Sequence, residues 1–263
     1  MTKKKAVVIM TTLTPEDGSW DVRLNLACEL AERASENGHK VLIAEKFFGE
    51  NIAAVQKLNR HGASVYPQIG QTVGEQRRDL FHKALDFITR NGNQFDGVLW
   101  TEEKPYMAKN LDDIIERRLA RGAAALIPGR SYGSWLTWPM LQQFSEPVGN
   151  LSFNRLFGVS EDGAYDPMHG PCYFGLEAIE DVLCFNPSQY GLEDKYVQQY
   201  IPIVLLSRGV KVASLAIDCT YPANQRVEEE GPKFREMLAR RVGQLKQITD
   251  GHLALHQALF ADK

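Results

Sequence analysis

"FDGVLWTEEKPYM", Phe95 to Met107, is the stretch on which the reading of this chain turns. Gly97 to Trp100 form an apolar strand that runs straight into Glu102, Glu103 and Lys104, and "NLDDIIERRLARG" behind it has helical spacing. A strand that ends in two carboxylates and an ammonium is either a solvated turn or a site for a metal or a phosphate. Neighbours on an extended chain point to opposite sides, so Glu102 shares a side with Lys104, and Thr101 with Glu103, unless the chain turns there. Two acidic groups can hold a divalent cation against a diphosphate through hard oxygen ligands. A lysine meets the same phosphate as a point charge.

Around this stretch, strands alternate with helices. "AVVIM" (Ala6–Met10), "VLIAEK" (Val41–Lys46), "ASVYP" (Ala63–Pro67), "DGVLW" (Asp96–Trp100) and "AALIPGR" (Ala124–Arg130) read as strands. Helical patterns separate them. The first carries Val22, Leu26, Leu30 and Ala34 at helical spacing, with Gly38 as its C-cap. Another starts near Gly74 and puts Leu80, Ala84, Phe87 and Ile88 on one face. Such alternation predicts a mostly parallel sheet with helices on both faces. After Arg130 the pattern loosens into an aromatic-rich helical stretch and an acidic loop, "SEDGAYDPMHGP". A helix is expected over "YGLEDKYVQQYIPIVLLSRG", then a strand, "VKVASLAIDCTYP". A long C-terminal helix follows, with an apolar stripe of Phe234, Leu238, Val242, Leu245 and Ile248.

The chain has 263 residues, 44% of them hydrophobic, and a net charge of −3. It is long enough to bury a substantial core, and its charge gives no field that favours nucleic acid. No apolar run approaches the ~20 residues of a membrane span, and "AVVIM" is too short for a signal-peptide core. Cys28, Cys172, Cys184 and Cys219 lack metal-ligand spacing and read as reduced thiols of a cytoplasmic protein. No G-x-G-x-x-G follows the first strand and no Walker A loop is present, so two common nucleotide-binding devices are missing.

The order of segments resembles the GT-A-fold glycosyltransferases that use nucleotide-diphosphosugars. "FDGVLWTEEKPYMAKNLDDIIERRLARGAAALIPGR" is similar to that family's central segment, where a strand ends in Asp-x-Asp, a helix follows and the next strand ends near "GSR". "QTVGEQRRDLFHKALDF" looks like the Gly-started helix before it. "NRLFGV" to "YDPMHGPCYFGLEAI" looks like the acceptor-side segment, and "QYGLEDKYVQQYIPIVLLSRGVKVASLAID" is similar to the family's W-G-x-D helix and closing strand. The C-terminal "VEEEGPKFREMLARRVGQLKQI" is most like the mannosylglycerate-synthase branch. In this chain the Asp-x-Asp falls on Glu102 and Lys104, or on Thr101 and Glu103. The histidine that this branch uses after its last strand has no counterpart in "CTYPANQR".

The resemblance implies roles for particular residues. Thr11, Thr12 and Leu13 would line a base pocket, and Glu45 would accept a hydrogen bond from the nucleotide; an ordinary loop and a strand-end ion pair are the plain alternatives. Gly74 would let the backbone approach the nucleotide. Arg77 and Arg78 would meet phosphate, as would Lys104, unless they are solvated helix cations. Glu102 and Glu103 would hold Mn²⁺ or Mg²⁺. On the acceptor side Glu193 and Asp194 would supply the catalytic acid or base, unless they are favoured there as helix N-terminal acids. Asp166 would orient an acceptor hydroxyl or form the turn before Pro167. His169 in the same loop, and the aromatic patch of Tyr132, Trp135 and Trp138, read more plainly as structure than as chemistry.

The expectation is therefore one GT-A-like (Rossmann-like) α/β domain over 1–263, its mostly parallel sheet flanked by helices and closed by a C-terminal helix. Residues 1–130 form its nucleotide-binding half and 131–263 its acceptor half. Its expected activity is hexosyl transfer from a UDP- or GDP-sugar donor to a small-molecule or glycan acceptor. The alternatives are a non-catalytic nucleotide-sugar-binding or assembly module with a degenerate metal site, and a sugar nucleotidyltransferase. The sequence leaves room for a homo-oligomer.

Overall fold

The structure is a computed structural model that describes residues 4–12, 20–46, 49–92 and 94–261; of residues 12, 20 and 21 only the backbone is described. Seven strands form one sheet: β1 (Lys5–Thr12), β2 (Lys40–Glu45), β3 (Ala63–Pro67), β4 (Phe95–Trp100), β5 (Ala125–Arg130), β6 (Cys172–Gly175) and β7 (Val212–Ile217). Their order is β3-β2-β1-β4-β6-β5-β7. Only β6 runs antiparallel, wedged between β4 and β5. The expected mostly parallel α/β sheet is present, and the sequence reading missed the short reversed strand inside it.

Helices α1 (Trp20–Glu36), α2 (Ile52–Arg60), α3 (Val73–Asn91) and α4 (Pro105–Arg121) connect the first five strands. The chain continues through α5 (Tyr132–Trp135), α6 (Met140–Phe157), α7 (Leu176–Cys184), α8 (Val197–Ser207), α9 (Ala223–Glu230) and α10 (Phe234–Phe260). Local signals explain the boundaries. At the start of α3, Thr72 and Glu75 form a reciprocal capping box. In α4, Pro105 occupies the first turn and Gly122 closes the helix in the left-handed region, at φ 57°. Residues alternate between the two faces of the sheet. On one side Val7, Ile9, Val98 and Trp100 pack with Leu80, Phe81 and Ala84 of α3. On the other, Val8, Met10 and Leu99 pack with Leu30 of α1 and Leu111 of α4.

Two helical expectations need correcting. The segment before α8 is not helical: Pro187–Tyr190 make one 3₁₀ turn, and α8 begins only at Val197. Glu193 and Asp194 therefore lie in a connection and not at the N-terminus of that helix. The C-terminal helix breaks at Gly231 into α9 and α10. The face of α10 that is buried carries Met237, Ile248, His252 and Leu255, while Phe234, Leu238 and Val242 of the expected stripe are exposed. The helix is rotated so that Arg240, Arg241 and Gln244 look inward over the sheet. Among the described residues no helix is long and apolar enough to cross a membrane.

Candidate functional site

Strand order reverses direction at β1, which lies between β2 and β4, and ligands of open α/β sheets bind beyond the carboxyl ends of strands at such a point. A deep cleft opens there. Thr11 of β1, Trp100 of β4, and Glu102, Glu103 and Lys104 just beyond β4 form its floor. Arg23 of α1, with Gln76 and Arg77 of α3, forms one wall. Tyr106, Trp138, Gln142 and His169 form the opposite wall, and Arg240, Arg241 and Gln244 close it from α10. Both halves of the chain contribute.

The floor is a turn and not an extended strand, so Glu102, Glu103 and Lys104 all reach the cleft. The Lys104 ammonium donates to the His169 carbonyl at 2.7 Å, lies 3.4 Å from the Glu102 carboxylate and stands 5.4 Å from the Trp138 ring centre. Glu102 is in the open mouth, more than half exposed. The surrounding wall works to raise its pKa, but Lys104, Arg240, Arg241 and Arg23 outweigh that and hold the carboxyl at about 2. Arg77 lies over the Trp100 ring at 4.7 Å and donates to the Lys195 carbonyl and to Gln198. Enclosure pulls its pKa down to about 10, against Glu102, Tyr196 and Asp194. It stays charged at neutral pH, in a place where charge is costly without an anion.

His169 is buried and neutral. Its Nδ1 lies 2.7 Å from the Pro128 carbonyl, which can only accept, so Nδ1 carries the proton. Nε2 therefore accepts from the Tyr106 hydroxyl at 2.8 Å. Burial, then Lys104 and Arg130, push the imidazole well below its usual range. Burial keeps the Tyr106 phenol protonated. With both nitrogens engaged, His169 orients Tyr106 and does not act as a base.

Four polar atoms on this cleft are buried without a hydrogen-bond partner: Arg77 Nε, Arg241 Nε, Gln142 Oε1 and Gln199 Oε1. Buried polar groups are nearly always satisfied, so a cluster of four marks a place built for something else to complete. Cationic side chains on the lining are Arg23, Arg77, Lys104, Arg240 and Arg241. Against these five stand four carboxylates, Glu102, Glu103, Glu146 and Glu229: Glu102 lies 3.4 Å from Lys104, Glu146 is bound by Arg130, Glu229 accepts from the Tyr221 hydroxyl at 2.7 Å, and Arg241 is 3.7 Å from both Glu146 and Glu229. The wall is thus weighted toward binding negative charge.

Several residues singled out from sequence lie elsewhere. Asp194 is clasped by Arg78 through two hydrogen bonds, of 2.8 and 2.6 Å, and by the Thr72 hydroxyl at 2.5 Å. Burial acts to raise its pKa, yet the Arg78 and Thr72 hydrogen bonds bring it down. Gly74 serves this clasp: a Cβ there would sit 1.8 Å from an Asp194 carboxylate oxygen. Gly74, Arg78 and Asp194 therefore anchor the start of α3 and do not line the cleft. Glu193 is largely exposed and pairs with Lys195 at 2.6 Å. Asp166 is sealed: Arg130 binds both its oxygens at 2.6 to 3.0 Å and Asn150 donates at 2.6 Å. Burial works against its ionisation, but Arg130 holds it at about 2. Glu45 is fully buried at the end of β2, outside the cleft lining. Thr11 lines the cleft; the Thr12 side chain and Leu13 lie outside the described residues.

Among the described residues no group of three or more His, Cys, Asp or Glu side chains is placed to hold a metal. Glu102 and Glu103 have no third donor beside them, and the nearest charged neighbour of Glu102 is a lysine. Two neighbouring carboxylates are what a protein supplies to a Mg²⁺ ion whose other ligands are substrate phosphates and water; Glu102 and Glu103 would be those two, and no step below is routed through the ion. Gly129 to Gly133 has the G-x-S-x-G spacing of a hydrolase elbow. However, Ser131 sits at φ −61°, caps α5 and hydrogen-bonds Ser134 and Asp218, so it is no strained nucleophile.

Gln142, Gln199, Arg240, Arg241 and the Tyr106–His169 pair were not found from sequence. Glutamines on helices carry no signal there, and the two arginines read as the solvated side of an apolar stripe.

No protein-family model matches the chain, and no curated protein does. Among solved structures, a cytidylyltransferase from Leptospira borgpetersenii serovar Hardjo-bovis is similar at 12% identity and a TM-score of 0.47, over 96% of this chain and 97% of that one. A 4-diphosphocytidyl-2C-methyl-D-erythritol synthase from Anaerococcus prevotii is similar at 14% identity and a TM-score of 0.45, over 89% of this chain and 100% of that one. At that distance neither likeness bears on the chemistry.

Proposed function

We propose that this chain is a sugar nucleotidyltransferase, joining a nucleoside triphosphate to a phosphorylated co-substrate and releasing pyrophosphate. The observation that carries this reading is a cleft rich in positioned cations and poor in bases. Arg77, Lys104, Arg240 and Arg241 converge on it, while Glu102 is held at about 2 and His169 is locked neutral. Such a site gathers anions; it does not extract protons. Nucleotidyl transfer needs only that. An oxygen of the co-substrate's phosphate, already ionised at neutral pH, attacks the α-phosphorus. A P–O bond forms there, the α–β bridging P–O bond breaks, and pyrophosphate leaves with the electron pair. Arg77 and Lys104 would offset the negative charge that keeps the two phosphates apart.

Hexosyl transfer, which the sequence favoured, is the second reading. In its support, the half-buried Tyr106 and Tyr196 rings line the cleft, and aromatic rings are surfaces on which sugars stack. Against it, an acceptor hydroxyl must lose its proton, and Glu193, Asp194 and Asp166 are off the cleft or sealed.

The test is to supply ATP, GTP, CTP and UTP singly with a panel of sugar phosphates, with and without Mg²⁺, and to assay pyrophosphate. The expected result is release only when both substrates are present, reduced roughly a hundredfold in Lys104→Met. Release of a nucleoside diphosphate from a sugar nucleotide would instead establish glycosyl transfer. Absence of both products would overturn the enzymatic reading and leave a binding module.

A further inference from the structure

The orientation of two glutamines on the cleft wall is fixed by their partners. Gln142, on α6, is 3% exposed, and its Nε2 donates to the Glu146 carboxylate at 2.8 Å. Gln199, on α8, is 4% exposed, and its Nε2 donates to the Pro167 carbonyl at 3.2 Å. A carboxylate and a carbonyl only accept, so neither amide can be flipped without setting oxygen against oxygen. Each Oε1 is thereby committed as an acceptor, and each is buried on the cleft with no donor. Two acceptors presented from different helices ask for two donors from whatever fills the space between them.

An ionised phosphate has no donors to give. An ammonium has them, but the five cations of the lining outnumber its four carboxylates, of which Glu102, Glu146 and Glu229 already have partners. Neutral hydroxyls fit both conditions. We infer that Gln142 and Gln199 are specificity-determining residues that select a polyhydroxylated co-substrate, a sugar or polyol phosphate with at least two free hydroxyls, and reject amino-alcohol phosphates. This deepens the proposed reaction and rests on the cleft being its substrate site.

The test is binding without turnover, read as the thermal shift of the whole chain with pyrophosphate, glycerol 3-phosphate, ribose 5-phosphate, phosphocholine or phosphoethanolamine. The polyol and sugar phosphates are expected to stabilise more than the two amino-alcohol phosphates at equal concentration. Gln142→Leu and Gln199→Leu should each weaken the hydroxylated probes at least tenfold and leave the response to pyrophosphate unchanged. Gln142→Met and Gln199→Met replace any leucine variant that melts early without ligand. Equal shifts from phosphocholine and glycerol 3-phosphate would overturn the inference, as would variants that keep the preference. If pyrophosphate itself gives no shift, the anion-binding cleft fails and the inference falls with it. If pyrophosphate binds but hydroxyls add nothing, the inference alone falls.

Discussion

Replacing Gly74 by alanine separates two accounts of why a glycine stands at the start of α3. A Cβ at this position would lie 1.8, 2.3 and 2.6 Å from the three atoms of the Asp194 carboxylate group, so Asp194 must withdraw. Its side chain is 10% exposed and that of Arg78 17% exposed, so little solvent is at hand to replace the lost partners. Breaking a largely buried ion pair costs about 3–5 kcal/mol, and the Thr72 hydrogen bond adds about 1 kcal/mol. Against this, alanine is favoured over glycine in a helix by about 1 kcal/mol, and partial re-pairing of Asp194 recovers some of the rest. A net loss of about 3 kcal/mol is expected, and for a chain of this size it lowers the melting temperature by roughly 6–12 °C. Urea and thermal unfolding of the ligand-free protein measure it. The control is the same change in an Asp194→Ala background, where the obstacle is gone and Gly74→Ala should cost nothing or stabilise slightly. A melting point for the single variant equal to or above wild type would refute the reasoning, as would equal losses in both backgrounds. Either would return Gly74 to a role in ligand approach.

Two further outcomes follow from buried charge. His252 is fully enclosed against Phe153 and Phe157, and burial lowers its pKa to about 4, so the fold prefers the neutral ring. Stability from this group is complete above pH 6.5 and is lost as the pH falls from 6.5 to 4, by about 3 kcal/mol in all; His252→Leu should flatten that window in unfolding experiments, and an unchanged slope would refute it. Arg130→Met leaves the buried Asp166 with only the Asn150 amide and the backbone N–H of position 130, and the buried Glu146 with the Gln142 amide and Arg241 at 3.7 Å. A loss of about 3–5 kcal/mol at pH 7.5 is expected. Both carboxyls then prefer protonation, so the variant should be more stable at pH 5 than at pH 7.5, and the opposite trend would contradict the pairing described.

The parts of the fold that were legible in the sequence are those with local signals. β1, β2 and β4 are unbroken apolar runs, and the capping box and the Gly122 stop mark α3 and α4. β6 was hidden because Cys172–Gly175 is too short to show periodicity, and its place is set by neighbours far along the chain. For the site, the turn after β4 was legible because a strand ending in three charged residues is unusual. Its partners were not. Arg241 reaches the cleft through the rotation of α10, which is decided by packing against α6 and α8. Asp194 misled because an acid before a helix has an everyday meaning, whereas here it clasps a different helix over a hundred residues earlier.

The cleft is also ordered in time. Arg77 and Lys104 are made well before Arg240, Arg241 and Gln244, which lie more than a hundred residues further along the chain. At ordinary elongation rates the two sets are separated by roughly 7–27 s. A nascent chain can build much of its sheet in that interval and still present only half of the positive wall. The positive wall is thereby completed only once α10 has been made and packed.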